Sequence, residues 1–150
     1  MVYGFGFYRS VAQRFKQQFN ENSKVPGKWE FFPELNHNEI VGWEGSDELG
    51  KCFSFLFIRD NAEPLEIKSR IESTKQIMNK AGLKTFDVCA QGKSALARIL
   101  SAVVVGDFTS VYLAVLRGVD PTPVKTISHL KNELKENGVK EKIVDELEKL

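Results

Sequence analysis

The sequence predicts an α/β fold, a three-layer sandwich with a central parallel sheet of about four to five strands flanked by helices, as in Rossmann-like domains. Short apolar runs alternate with longer amphipathic patterns, which is typical of strands joined by crossover helices. The run KCFSFLFIRD at 51–60 is almost continuously apolar, which is typical of a strand covered on both faces. The 150 residues are 42% apolar and 27% charged, the proportions of one soluble globular domain.

The first part of the chain predicts a strand, a helix and a second strand. Residues 2–6 (VYGFG) read as a short strand that ends in a glycine turn, and a helical pattern follows at 8–22. The PG pair at 26–27 breaks the chain after this helix. Residues 29–33 (WEFFP) predict the second strand, and residues 38–40 open a short helix beyond a polar loop.

The second part of the chain predicts two further strands and a series of helices. The third strand takes residues 51–60, and the helix after it has Pro64 in its first turn and Gly82 at its C-terminal cap. A long apolar helix follows the fourth strand, with a break predicted at 106–107. After the third strand the elements are predicted at 63–81, 84–90, 94–116, 124–136 and in a last helix carrying Val139, Ile143, Val144, Leu147 and Leu150.

Composition and charge argue against several classes of function. The net charge is +1, so neither nucleic acid nor an anionic membrane is expected as a partner. No apolar run is expected to reach the ~20 residues that span a bilayer, and MVYGFGFYRS is not a signal peptide. Cys52 and Cys89 lie in separate apolar runs, which predicts two buried free thiols in a reducing compartment and a cytoplasmic location. The first strand begins almost at Met1, which predicts a piece cut from a longer chain or a gene that encodes half of one.

Two glycine motifs resemble nucleotide-binding loops but lack required residues. GFG at 4–6 follows a strand, yet Arg9 stands where a dinucleotide fingerprint needs its third glycine. GKS at 92–94 lacks the upstream glycine of a phosphate-binding loop, and its serine is better explained as a helix N-cap. His37 and His129 have neither a nucleophile motif nor clustered metal ligands to serve, and His129 is predicted to be solvated. We therefore expect no metal and no cofactor.

The stretch NENSKVPGKWEFFPELNHNEIVG at 20–42 carries polar groups that could do chemistry. Glu21 ends the first predicted helix, and His37 stands in the loop after the second strand. A carboxylate can carry a proton between adjacent carbons, and a histidine or a lysine can protonate or polarise ring and carbonyl oxygens. On composition alone, the default interpretation of this stretch is a solvated loop.

Four segments of the chain are similar to one known family. They are YRSVAQRFKQQFNEN (8–22), FNENSK with PELNHNEIVGWE (19–44), GDFTSVYLA (106–114) and RGVDPTPVKTISHLKNEL (117–134). In the same order, they resemble the C-terminal half of the archaeal and bacterial bifunctional phosphoglucose/phosphomannose isomerases, which consist of two sugar isomerase (SIS) domains. The resemblance implies an SIS domain at 1–136, with 137–150 an amphipathic helix extra to it.

The resemblance also implies a reaction. Members of the family interconvert glucose 6-phosphate or mannose 6-phosphate with fructose 6-phosphate, without a metal, through a cis-enediol. Glu21 matches the base that moves a proton between C2 and C1, and Lys131 matches the family's C-terminal lysine. His37 matches a ring-opening histidine that the neighbouring subunit supplies. The substrate-binding residues implied are Thr122, Asn38 and Asn22.

The order of the elements provides an independent reason for a site shared between subunits. In a β-α-β unit, the helix starts near the carboxyl ends of the strands and finishes near their amino ends. Glu21 and His37 are therefore predicted at opposite ends of the second strand, roughly 17–26 Å apart for a strand of about 5–8 residues. One hexose cannot bridge that gap, whereas a symmetric dimer can bring Glu21 of one copy to His37 of the other.

The sequence departs from the family pattern in one respect. The family's first SIS domain has a Ser/Thr-rich phosphate-binding loop and an arginine that supports the enediol, and this sequence has neither. The expected partners are a sugar phosphate and either a second copy of this chain or a chain that carries an N-terminal SIS domain. Two alternatives stay open: a non-catalytic SIS module that binds sugar phosphates and regulates a partner, and an assembly subunit whose catalytic residues are relics.

Overall fold

The computed structural model describes residues 1–45 and 47–149, which contain one parallel sheet with the strand order β2-β1-β3-β4. Residues Val2 and Tyr3 of β1 pair with β2 on one side and with β3 on the other, and β3 pairs with β4 along its whole length. The predicted α/β class is therefore confirmed. The strands are β1 Val2–Phe5, β2 Trp29–Phe32, β3 Ser54–Arg59 and β4 Lys84–Cys89.

The helices begin and end close to the predicted residues, with two differences. A short helix that the sequence did not predict takes the start of the third predicted strand, and the long apolar helix continues unbroken through Gly106. The helices are α1 Tyr8–Glu21, α2 Glu39–Gly42, α3 Asp47–Lys51, α4 Leu65–Lys80, α5 Ala95–Leu116, α6 Lys125–Glu136 and α7 Val139–Leu147, with a 3₁₀ turn at Glu34–Asn36.

The crossover helices cover the two faces of the sheet. The chain moves one way from β1 to β2 and the other way from β3 to β4, so right-handed crossovers place α1 and α4 on opposite faces. α5 packs beside α1. Gly4 allows α1 to lie against β1, because a Cβ at this position would come 2.3 Å from the carbonyl oxygen of Tyr8.

The core between the sheet and its cover is rich in aromatic rings. The ring of Tyr3 lies 5.3 Å from that of Phe57 and 6.0 Å from that of Phe55, and all three side chains are buried. Trp43 stacks edge-on against Phe55 at 4.8 Å. Since each buried aromatic side chain is worth several kcal/mol, this cluster makes a large contribution to the stability of the domain.

The carboxyl ends of the strands carry a network of charged side chains that satisfy one another. Arg59 donates to Glu63 at 2.5 Å and to Glu72 at 2.7 Å. Asp60 accepts hydrogen bonds from Tyr8 and, at 2.9 Å, from Arg98. Burial alone would raise the pKa of Asp60, but the hydrogen bonds that it accepts outweigh burial and hold that pKa below its ordinary value of 3.8.

Helix α5 exposes most of its apolar surface, which the sequence did not predict. Its small residues pack toward α1, whereas the opposite face exposes Leu96, Leu100, Val104, Val105, Phe108, Val111, Tyr112, Val115 and Leu116. With 22 residues, α5 is long and apolar enough to cross a membrane, so the expectation that no apolar run reaches this length is wrong. Length and composition alone do not distinguish a spanning helix from the core helix of a globular domain.

The helices after α5 also expose their apolar side chains. Ile127, Leu130 and Leu134 of α6 and Ile143 and Leu147 of α7 are all exposed. The two helices contact each other, and within the described residues neither makes an extensive contact with another helix or strand. The last helix confirms the predicted apolar series as far as Leu147, and Leu150 lies outside the described residues.

The two cysteines are free thiols, as predicted, but both are exposed, so the prediction that they are buried is wrong. Cys52 lies in the turn after α3, where the predicted strand has not yet begun. Cys89 is the last residue of β4, which is at the edge of the sheet. An apolar sequence context indicated burial in both cases, whereas the position at an edge or in a turn decides exposure.

Candidate active site

Glu21 is the last residue of α1 and lies in the wall of an open cavity of about 440 Å³. Its side chain is exposed, and among the described residues its carboxylate has no hydrogen bond or ion pair. The rest of the wall comes from the turn after α5 and the start of α6. The lining residues are Asn20, Glu21, Lys24, Val119, Asp120, Pro123, Val124, Lys125, Thr126 and Ile127.

The C-terminal end of α1 is fixed by hydrogen bonds to α5. Asp107 accepts from Arg14 at 2.7 and 3.1 Å and from Gln18 at 3.0 Å. One turn further along, Ser110 accepts from Asn22 at 2.8 Å through its hydroxyl oxygen, and its carbonyl oxygen accepts from the buried Ser23 hydroxyl at 2.6 Å. These bonds hold the backbone beside Glu21 in one place.

A close approach of the two helices makes these bonds possible. Gly106 faces Phe15, and a Cβ at Gly106 would come 2.3 Å from the Phe15 ring. The buried residues of α5 form one stripe of small side chains, Ala102, Gly106, Ser110 and Ala114. The GDFTS run therefore has a structural reason: it lets α5 approach α1 and supplies the acceptors that fix it.

Lys24 follows the end of α1 and joins this helix to the turn after α5. Its ammonium donates to the carbonyl oxygens of Glu21 at 2.6 Å, Pro123 at 2.8 Å and Pro121 at 3.3 Å. Its backbone has a φ of +54°, in the left-handed region. The sequence placed this lysine in the polar stretch at 20–42 but assigned it no role, because nothing in the local pattern indicates a partner about 97 residues away.

Two other predicted residues, Thr122 and Lys131, lie outside the set that lines the cavity. Thr122 is exposed in the turn, where its backbone N–H donates to Asp120 at 2.9 Å. Lys131 is exposed on α6 and is not among the cavity-lining residues, where the lysines are Lys24 and Lys125. Within this single chain, the structure thus brings Glu21 together with Lys24 and Lys125 rather than with Lys131.

His37 lies near the carboxyl ends of the strands, whereas Glu21 lies near their amino ends. It follows the 3₁₀ turn after β2, its side chain is exposed, and its backbone N–H donates to the carbonyl oxygen of Glu34 at 2.9 Å. Buried Leu35 anchors the turn in the core, and Asn36 donates to Thr74 of α4 at 2.9 Å. These contacts fix the backbone at His37, and its imidazole is exposed to solvent.

The residues around His37 have structural partners. Asn38 caps α2 by accepting from the Glu39 backbone N–H at 2.5 Å, and it donates to Glu34 at 2.9 Å. Glu39 accepts from Tyr3 at 3.0 Å and from Trp43 at 3.2 Å. Burial and the charge of Glu39 raise the pKa of Tyr3, so this phenol stays protonated.

The separation of Glu21 and His37 follows from the order of the elements. α1 has 14 residues and is about 21 Å long. It returns the chain from the carboxyl ends of the strands to their amino ends. β2 has four residues and carries the chain back over about 13 Å to the end where His37 lies. Glu21 and His37 of one chain thus lie at opposite ends of β2, as predicted, but the predicted strand length of about 5–8 residues, and with it the separation of roughly 17–26 Å, was too large.

The structure gives two of the predicted binding residues another task. The Asn22 amide is bonded to Ser110 and the Asn38 amide to Glu34, so both side chains are engaged in holding the fold. The sequence analysis assigned no positioning role to Lys24, Asp107 or Ser110, which fix the chain around Glu21. In the described part of the chain, no three His, Cys, Asp or Glu side chains come together as a metal site would require.

The parallel α/β fold and the exposed carboxylate in the cavity wall agree with the class of sugar isomerase domains. The family model for the bacterial phosphoglucose isomerase C-terminal SIS domain matches residues 1–134. The chain belongs to this family.

Similar proteins share the name of one enzyme. The chain is 40% identical to the bifunctional phosphoglucose/phosphomannose isomerase of Aquifex aeolicus, over 91% of the chain and 42% of that protein. It is 39% identical to the enzyme of the same name from Caldicellulosiruptor bescii, over 91% of the chain and 40% of that protein. The chain thus spans about two fifths of the length of these relatives.

A solved structure agrees on the fold. A glucose-6-phosphate isomerase like protein from Thermus thermophilus matches with a TM-score of 0.65 and 20% identity, over 87% of this chain and 42% of that one. At this identity the likeness concerns the fold alone. The Rossmann-like SIS arrangement expected from the sequence is the one observed.

Proposed function

We propose that this chain is the C-terminal half of a phosphoglucose/phosphomannose isomerase, which converts glucose 6-phosphate or mannose 6-phosphate into fructose 6-phosphate. The observation that carries the proposal is the unpaired carboxylate of Glu21 in the wall of a cavity of about 440 Å³. The names of its relatives support isomerisation as the class of reaction and phosphoglucose and phosphomannose as the sugars.

In the proposed reaction, Glu21 is the base. Its carboxylate takes the proton from C2 of the open-chain aldose, the electron pair of that C–H bond forms the C1–C2 double bond, and the π electrons of the C1 carbonyl move to O1, which takes up a proton to give the cis-enediol. Glu21 then returns its proton to C1 while the O2 hydroxyl loses its own proton and becomes the C2 carbonyl of the ketose. An exposed carboxylate without a salt bridge suits this role, because neither a cation nor a hydrogen-bond donor occupies the oxygen atoms that accept the proton.

His37 is proposed to assist ring opening from a second copy of the chain. Within one chain Glu21 and His37 lie at opposite ends of β2, and one hexose is too short to contact both. In a twofold-symmetric pair, each copy contributes one residue to each site. Lys131 on exposed α6 is proposed to reach the substrate in the same assembly.

The proposal also includes an N-terminal SIS half, which packs on the exposed face of α5. The relatives are more than twice as long as the matched segment, and the segment corresponds to a domain described as C-terminal. The exposed face of α5 is apolar, and the two charged residues of α5, Arg98 and Asp107, are both bonded to other parts of the domain. A large apolar face without unpaired charge is typical of a permanent interface.

A second candidate function is a non-catalytic SIS module that binds sugar phosphates or assembles with a partner chain. One observation favours assembly with a partner chain: helices α5, α6 and α7 all expose apolar side chains. Binding of a phosphate group by this chain alone is less favoured, because the ammonium of Lys24 is occupied by three carbonyl oxygens and Lys125 is the other lysine in the cavity wall. Under the isomerase proposal, the N-terminal half supplies the phosphate-binding groups. The two functions therefore differ in what the complete assembly does.

A coupled assay for fructose 6-phosphate tests the proposal. This chain is assayed alone and together with the N-terminal half of the Aquifex aeolicus relative as a separate chain. We expect turnover of glucose 6-phosphate and mannose 6-phosphate in the mixture. Glu21→Gln should lower kcat by about 10²–10⁴-fold, the usual contribution of a general base, without unfolding the domain.

Glu44→Gln is the matched control, because Glu44 is also an exposed carboxylate and lies away from the cavity. Turnover that is equal in Glu21→Gln and in the wild type would remove Glu21 as the base. A folded complex that binds glucose 6-phosphate by calorimetry but never turns it over would favour the non-catalytic module.

A further inference from the structure

The turn after α5 and the two helices that follow it are attached to the domain in an unusual way. We define residues 120–149 as the C-terminal segment. Within the described residues, its side chains form no ion pair with the rest of the domain. In the part of the chain that the structure describes, the hydrogen bonds that link this segment to residues before the turn come from one side chain, that of Lys24, which donates to Pro121 and Pro123.

We propose that Lys24 is a positioning residue that sets the spacing between Glu21 and the C-terminal segment. Its third hydrogen bond goes to the carbonyl oxygen of Glu21 itself, at 2.6 Å. One ammonium group thus connects the two walls of the cavity, and all three of its N–H groups are used. The consequence for catalysis rests on the function proposed above, whereas the spacing itself does not.

The location of the ammonium explains why its bonds are effective. The last carbonyl oxygens of a helix have no partner within the helix, and the dipole makes the C-terminal end of the helix negative. The Lys24 ammonium lies at this end of α1 and adds two carbonyl oxygens from the turn. A cation at the junction therefore stabilises α1 and the turn together.

The backbone at this position indicates that the side chain is what matters. Lys24 has a φ of +54°, and every other described residue with a positive φ is a glycine. Glycine or asparagine adopts this conformation at lower cost than lysine. Backbone preference alone would thus favour another residue, so the strained position is explained by the ammonium that it places.

Arginine would not replace this lysine well. The three carbonyl oxygens surround a single nitrogen at 2.6–3.3 Å, a geometry that suits a compact ammonium group. A guanidinium group spreads its donors over a planar fork and binds best to two parallel acceptors. We expect Lys24→Arg to restore only part of the wild-type behaviour.

A distance measurement by electron paramagnetic resonance tests the spacing without any assay of activity. Spin labels are placed at the exposed positions Gln17 of α1 and Glu133 of α6, in a chain with Cys52→Ser and Cys89→Ser. We expect one narrow distance distribution in this background. Lys24→Asn and Lys24→Gly, which suit the backbone conformation but lack the ammonium, should broaden it, and Lys28→Asn should not.

Turnover in the complemented assay provides the second measurement. If the wild type is active, we expect Lys24→Asn to lower kcat on the order of 10-fold to 100-fold with a smaller change in KM, because misplacement of the walls affects the reacting geometry. In the Cys52→Ser, Cys89→Ser chain, Lys24→Cys treated with 2-bromoethylamine regains an ammonium at this site. Turnover should return with it.

The outcomes are distinct. An unchanged distance distribution in Lys24→Asn overturns the proposal, whatever the activity. An active wild type whose kcat is unaffected by Lys24→Asn overturns the role in catalysis. A wild type without turnover counts against the isomerase function alone, and the distance distribution then decides the role of Lys24.

Discussion

Two regions of this molecule contain the same kinds of apolar side chain in opposite environments. Around β1 and β3, Tyr3, Phe55 and Phe57 are at most 1% exposed. Along α5, Phe108 is 58% exposed and Leu116 is 84% exposed. The first region is covered by the chain's own helices and stabilises the fold, whereas the second is exposed on the single chain. The apolar side chains around β1 and β3 therefore stabilise the fold, whereas those of α5 form an exposed surface of the kind that can bind a partner.

The largest expected effect is the loss of a core ring. Phe57→Ala should lower the free energy of unfolding by about 3–5 kcal/mol, because it removes a buried ring and leaves a cavity between Tyr3 and Phe32. Urea denaturation followed by circular dichroism measures this loss. A loss below about 1 kcal/mol would mean that the aromatic core collapses around the gap.

A smaller effect is expected at the carboxyl end of β3. Because the pKa of Asp60 is held below its ordinary value of 3.8, its ionised form stabilises the fold above that pH, and this stability is lost as the pH falls further. Asp60→Asn should therefore be less stable than the wild type at pH 7 and should lose less stability between pH 4 and pH 2. Thermal unfolding at a series of pH values measures both, with Asp145→Asn on exposed α7 as the control. Parallel pH profiles for Asp60→Asn and the wild type would contradict the assignment.

The smallest effect on stability is expected on the exposed face of α5. Phe108→Ser should change the free energy of unfolding of the isolated chain by less than about 0.5 kcal/mol, because the ring is largely in water already. In contrast, it should weaken binding of the N-terminal half of the Aquifex aeolicus relative by about 10-fold or more, as measured by calorimetry. Binding that is unaffected would place the N-terminal half on another surface.

Most of the fold could be predicted from the sequence because local patterns specify it. The serine cap of α5 is confirmed, with Ser94 accepting from the Ala97 backbone N–H at 3.2 Å. The apolar run at 51–60 contains β3, and Pro64 and Gly82 flank α4, although each lies one residue outside its predicted position: Pro64 is the N-cap and Gly82 follows the C-cap. The exposure of Cys89 and of the α5 face could not be predicted. Burial depends on which elements lie next to each other and on what covers the outermost ones, and neither is encoded in local periodicity.

The candidate site was predictable in part. Glu21 and His37 were singled out through a family resemblance, and their placement at opposite ends of β2 followed from the alternation of strands and helices. The role of Lys24 was not predictable, because a contact with Pro121 depends on where α5 ends in space. Nothing in the sequence indicated that the Asn22 amide is engaged by Ser110.

The open edge of β4 has a consequence for handling the protein. β4 pairs with β3 on one side, and within the described residues its other side has no partner strand, so a row of backbone N–H and C=O groups faces outward next to the exposed ring of Phe86. Such an edge is a template on which another chain can add a strand. If the edge of β4 stays uncovered at high protein concentration, we expect chains to associate edge to edge. A partner that covers β4 would prevent this association and keep the chain in solution.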